Sequence, residues 1–131
     1  MTRVNPPQLG PPSGFSHGVL APPGGRMLFV AGQTAADPCR GIEDPSFRAQ
    51  FDRALEKVLA VVTEAGGTLH HVVSMRVFVT DLDAYLSSRE AINAVWQRHM
   101  AGHYPAMALV EVSRLVDLGA TVEIEAIAVI P

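Results

Sequence analysis

Glu123 and Glu125 stand two residues apart in the run Thr121 to Val129, where polar and apolar residues alternate. On an extended strand such a pair shares one face at a spacing of about 6.5–7 Å. Neighbouring carboxylates in a partly buried cleft raise each other's pKa. One of them can then take a proton near neutral pH, which is what activating a water molecule requires. The alternative for either glutamate is a structural acceptor at a subunit contact. Arg76, in the run Val72 to Thr80, could bring a cation to the same face. Its competing reading is a structural ion pair with Glu111, Glu123 or Glu125. His99 and His103 are four apart, a helical metal spacing. Gly102 interrupts the helix between them and no third ligand is evident, so no metal is expected. His70-His71 reads as a solvated turn. Cys39 has only Arg40 as a basic neighbour and no histidine partner, which argues against a nucleophilic thiol. Gly24-Gly25 and Gly66-Gly67 read as a turn and a helix cap rather than a phosphate loop.

These residues need elements to hold them. Pro6, Pro7, Pro11 and Pro12, with Gly10 and Gly14, make residues 1–14 an extended or poorly ordered arm. Residues 15–131 read as a single domain. Phe15 to Ala21 and Met27 to Ala31 read as two strands, and Pro22-Pro23-Gly24-Gly25 between them as the turn of a hairpin. Asp44 is expected to cap a helix with Pro45 in its first position. Phe47, Phe51, Leu55, Val58, Leu59 and Val62 then recur at spacings of three and four, up to the stop at Gly66-Gly67. Val72 to Thr80 is a strand with Val73, Met75, Val77 and Val79 on one face. Asp81 or Asp83 caps a second helix carrying Leu82, Leu86, Ile92, Val95, Trp96 and Met100. Ala106 to Ser113 and Thr121 to Val129 are strands. The order β-β-α-β-α-β-β predicts an α+β sandwich, a mixed sheet with two helices on one face. The opposite sheet face carries Phe78, Leu109, Ile127 and Val129, or their opposite-parity partners. Such a face needs cover from another subunit.

Composition bounds the function. Of 131 residues, 48% are hydrophobic and only 18% charged, against a usual charged share of about 25%. That excludes a disordered tail, and a single cysteine excludes a disulfide scaffold. The net charge is −3, and the ten Lys and Arg are scattered, which argues against nucleic acid as a partner. No apolar run reaches membrane-spanning length, and the first residues lack the apolar stretch of a signal peptide. The expectation is a soluble, cytoplasmic protein.

Several segments together resemble one family. Ala31-Gly32-Gln33 resembles its S-G-Q segment. Glu64-Ala65-Gly66-Gly67, followed by Leu69 and Val72-Val73, is similar to the stretch that links its first helix to the next strand. Val77-Phe78-Val79-Thr80-Asp81, Asn93, Pro105-Ala106, Val110-Glu111-Val112, Arg114-Leu115 and Glu123 to Ala128 follow in the family's order. On these segments the chain, from about Phe15 to Val129, is identified as a member of the YjgF/Rid (RidA, reactive intermediate deaminase) family.

The resemblance implies a chorismate-mutase-like fold, β-β-α-β-α-β-β, assembled as a homotrimer with small-molecule ligands in clefts between subunits. It implies hydrolysis of imines and enamines with release of ammonia, without metal or cofactor. It places the water-holding glutamate at Glu123 and the pocket tyrosine at Phe15. Gln33 and Asn93 become candidate binding residues, and His17 lies beside the implied pocket. The family's carboxylate-binding arginine falls at Met107. A thioether offers no planar fork to a carboxylate, so Met107 cannot clamp one. Arg26 and Arg76 are the conceivable substitutes. Three functions follow as expectations. They are a deaminase that lacks the usual α-carboxylate clamp, a non-catalytic small-molecule-binding trimer and, against the acidic charge, an endoribonuclease.

Overall fold

A computed structural model describes all 131 residues. The chain runs β1 (Thr2–Val4), β2 (Gly18–Leu20), β3 (Arg26–Gln33), α1 (Phe47–Glu64), β4 (Val72–Val79), α2 (Leu82–Ser87), α3 (Arg89–Met100), β5 (Ala106–Glu111) and β6 (Val122–Ile130). Four strands form the main sheet in the order β3-β6-β4-β5. β6 lies antiparallel to both neighbours, and β4 and β5 run parallel. The α2–α3 crossover makes that parallel pairing possible. The sheet is mixed and its helices pack on one face, as the alternation and periodicity predict. No helix is long and apolar enough to cross a membrane.

The core lies between α1, α3 and one sheet face. α1 contributes Phe51, Ala54, Leu55, Val58 and Val62, and α3 contributes Ile92, Val95, Trp96 and Met100. Val122, Ile124, Ala126 and Ala128 of β6 meet them, beside Met75, Val77 and Val79 of β4. Val73 departs from its expected face. A bulge between Val72 and Ser74 resets the alternation, so Val72 is buried instead. In β5 the opposite parity holds. Leu109 pairs with Val77 and packs toward the helices, leaving Val110 on the open face.

Three local expectations are corrected. The hairpin does not form: β2 pairs with β1, which lies in the N-terminal arm, while β3 pairs with β6 from the far end of the chain. The α1 cap is Ser46, whose hydroxyl accepts from Ala49 N, and Asp44 acts one step earlier by accepting from Ser46 N at 2.8 Å. The second helix is two. Asp81 caps α2 through Ala84 N, but Ser88 N bonds to Tyr85 O and Ser87 Oγ to Ala84 O. These short bonds close the first segment before α3 begins.

One buried polar side chain joins the layers. The Gln50 amide donates to Asp44 O and Gly119 O, each at 3.1 Å, and accepts from Thr121 N at 2.8 Å. Its three partners are backbone groups of the two loops that lead into α1 and β6. Gln50→Ala strands them and is expected to cost about 1–3 kcal/mol, read as a lower urea midpoint.

His103 is another buried polar group. It lies beyond the end of α3, donates from Nε2 to Val72 O at 2.7 Å, and its own carbonyl accepts from Trp96 Nε1 at 3.1 Å. Burial holds its imidazole below the ordinary histidine pKa, aided by Arg3 and His70 and opposed by the bond to Val72. His103 and His99 do not face a common point, because His99 donates to Asp52 on α1 at 2.6 Å. The depressed His103 pKa makes its contribution complete above the unfolded value near 6.5 and lost as pH falls through the folded value. Urea midpoints should therefore drop between pH 7.5 and 5, and His103→Gln should flatten that dependence.

Candidate active site

A cavity of about 310 Å³ opens between α3, the edge strand β5 and the N-terminal arm. Phe15, Asn93 and Met107, three of the residues singled out in the sequence, border it together. The arm and the residues just after it, through His17, are held in place by the bonds of Ser16 and His17. Ser16 Oγ donates to Tyr104 O at 2.6 Å and Ser16 N to Pro105 O at 3.0 Å, which adds a parallel bridge to the start of β5. His17 N donates to Asn5 Oδ1, and its ring bonds to Gly10 O at 3.1 Å while meeting Phe15 edge to face. Trp96 stacks on Tyr104 with ring centres 5.8 Å apart, and Gln97 donates to the Tyr104 hydroxyl at 2.9 Å. These contacts give the cavity an ordered aromatic wall.

Phe15, His17, Arg76 and Met107 also border a second cavity of about 290 Å³ at the start of β5. Arg76 is not a free cation there. Its guanidinium meets Glu125 Oε1 at 3.0 Å, on the residue paired with it across β4 and β6. Glu125 is correspondingly engaged. Arg26 lies at the outer end of β3, paired with Ile130, and reaches only Pro131 O. It does not approach Met107.

Glu123 stands apart from both cavities. It faces the side of the sheet that carries no helix, opposite Phe78, and makes no ion pair or hydrogen bond within the chain. Its carboxylate lies over Gly32, where a Cβ would come within 2.6 Å of Oε1 and 2.9 Å of Cδ. The S-G-Q-like segment is thus a bare backbone seat for the Glu123 carboxylate. Gln33 itself turns away: it pairs with Ile124 across a bulge and its amide bonds to Ala31 O.

Met107 and Glu123 flank β4 from opposite sides, three positions apart in register. Strand spacing and rise put their backbones on the order of 14 Å apart. Met107 pairs with Met75 and packs against the core, so the two residues also favour opposite sheet faces. Within one chain they do not converge on a common atom.

Arg89, Trp96, Gln97 and Tyr104 are among the lining residues that were not singled out from the sequence as site residues. Arg89, Asn93 and Gln97 follow one another at four-residue steps on α3. That polar stripe was the available signal, and it reads equally well as a solvated helix face.

Comparison with known proteins gives these features a context. The family model described as Endoribonuclease L-PSP matches residues 7–130. A RutC family protein of Pyrococcus abyssi is 34% identical over 128 residues, covering 97% of this chain and 92% of its own. A 2-iminobutanoate/2-iminopropanoate deaminase of Salmonella typhimurium is 37% identical over 105 residues, 80% of each chain. Among solved structures, the Rid family protein YyfB of Yersinia pestis superposes with a TM-score of 0.84 at 30% identity, covering 98% of both chains. Escherichia coli TdcF with bound serine superposes with a TM-score of 0.71 at 32% identity, covering 93% of this chain and 92% of its own. The chain therefore belongs to the Endoribonuclease L-PSP family, that of the YjgF, Rid and RutC proteins.

Proposed function

We propose that the protein is a cytoplasmic, cofactor-independent hydrolase of imines or enamines, acting as a homotrimer. The observation that carries this reading is the Glu123 carboxylate, half-buried, unpaired in the chain and seated on Gly32. The Salmonella relative, named as an iminobutanoate/iminopropanoate deaminase, supports the reaction class. Glu123 would hold a water molecule and take its proton as the oxygen attacks the carbon of a C=N bond. That proton passes to nitrogen to give a carbinolamine; its hydroxyl proton then moves, through Glu123, to the same nitrogen as the C–N bond breaks and C=O forms, and ammonia and a carbonyl compound leave.

The trimer rests on two supports. Phe29 and Met27 are 69% and 61% exposed on the open side of β3, an apolar surface that another copy would cover. The separation of Met107 from Glu123 is the second. A neighbouring copy can bring its Glu123 to the cavity wall formed by Phe15, Asn93 and Met107, where a single chain cannot. His17 and Arg76 then border the approach to that wall.

Met107 favours a second reading, a small-molecule-binding trimer without turnover, because the wall lacks the arginine that the family resemblance places there. For the endoribonuclease reading, the net charge of −3 offers no electrostatic support.

Ammonia release from imino acids generated in situ separates these readings. The wild type is expected to act weakly on the smallest 2-imino acids. Met107→Arg should raise kcat/KM on 2-iminopropanoate at least tenfold, since charge-assisted partners contribute several kcal/mol. Glu123→Gln should lower turnover by about 10²- to 10⁴-fold. Gly32→Ala should lower it too, by displacing the carboxylate, with stability unchanged within about 0.5 kcal/mol. Full activity in Glu123→Gln rejects the deaminase mechanism, and turnover of 2-iminopropanoate that Met107→Arg fails to improve rejects the role given to Met107.

A further inference from the structure

Arg89 is the single charged side chain bordering the 310 Å³ cavity, and no carboxylate borders it. It opens α3 at a terminus where Ser88 provides no side-chain cap. It meets neither an acidic group nor a carbonyl of the chain, whereas Arg40, Arg48, Arg53, Arg76 and Arg98 are all paired with acids. Asn93 and Gln97 follow it along the same helix face and border the same space. Because Gln97 already donates to the Tyr104 oxygen, that hydroxyl's own proton is free to donate elsewhere. The facing wall, on β5, is apolar, built from Met107 and Leu109.

This layout has a direction. A guanidinium fork, side-chain amides and the uncapped start of a helix all favour a small anion at the α3 side. The Met107 thioether and the Leu109 side chain favour carbon on the β5 side. We propose that Arg89 is the anion anchor of this cavity, and that it selects small monocarboxylic acids with a branched or aromatic body, acid group toward α3 and apolar body against Met107. Acid recognition is then displaced from the sheet wall to the helix wall rather than lost. The inference rests on the cavity being the ligand site of the proposed hydrolase. It goes beyond that reading in naming the ligand's chemical class and its orientation.

The test uses the full-length chain and its only tryptophan, Trp96, which borders the cavity and reports occupancy by fluorescence. The probes are 4-methylpentanoate and its uncharged amide, which share the branched body and differ in charge. The wild type should bind the acid at least tenfold more tightly than the amide. Arg89→Gln should remove that preference and leave the amide's affinity unchanged, and Arg89→Lys should restore part of it. Arg89 is exposed, so the variants are expected to fold, and an unchanged melting temperature checks this. Equal binding of acid and amide by the wild type, no binding of the acid, or a preference that survives Arg89→Gln each overturns the proposal. Turnover separates its failure from that of the hydrolase reading. Acid preference without imine hydrolysis keeps Arg89 and rejects the deaminase. Imine hydrolysis equally fast in wild type and Arg89→Gln keeps the deaminase and rejects Arg89.

Discussion

Strand β6 has to satisfy two environments at once. It is hydrogen-bonded on both edges, so neither edge can be adjusted without breaking a ladder. Its alternate residues Val122, Ile124, Ala126 and Ala128 are committed to the helices. Period-two geometry then forces Glu123, Glu125 and Ile127 onto the uncovered face. Glu125 is neutralised by Arg76, and Ile127 sits between Phe29 and Ser74 in the neighbouring strands. Glu123 alone is left with a bare glycine under it. The same register that builds the core therefore fixes where an unpaired carboxylate can be.

How much of this was legible depends on how local the cause is. The α1 stripe from Phe51 to Val62 was readable because helical periodicity is written within the segment itself. Its cap was misplaced by two residues because Asp44 and Ser46 are both good caps, and the bond from Ser46 N to Asp44 decides between them. The hairpin failed for a different reason. Pro22 to Gly25 does make a turn, but the turn leads β3 to β6, about a hundred residues downstream in pairing. Nothing in either strand states its partner. Likewise the break at Ser88 depends on side-chain-to-backbone bonds that compete with the helix, and the apolar positions on both sides read as one stripe.

The site divides in the same way. Phe15, Asn93 and Met107 come together because the arm, α3 and β5 meet at one edge, and family resemblance pointed to all three. Arg89 was invisible because a charged residue on an exposed helix face is ordinary until the cavity beside it is known. Gln33 shows the reverse error. Its neighbours Ala31 and Gly32 matter for their backbone, and a bulge turns the glutamine side chain elsewhere.

The arm has a role in the edge chemistry of the sheet. Ser16 occupies the start of the β5 edge, so that side of the sheet is partly closed. The β3 edge has no such partner, and Met27 and Phe29 stand exposed beside it. An open edge with apolar neighbours is a template for further pairing. Whatever covers it binds the folded chain and not the unfolded one. In the proposed trimer that cover is another copy of the chain, so by mass action the thermal midpoint would be not a constant of the sequence but a quantity that rises with protein concentration.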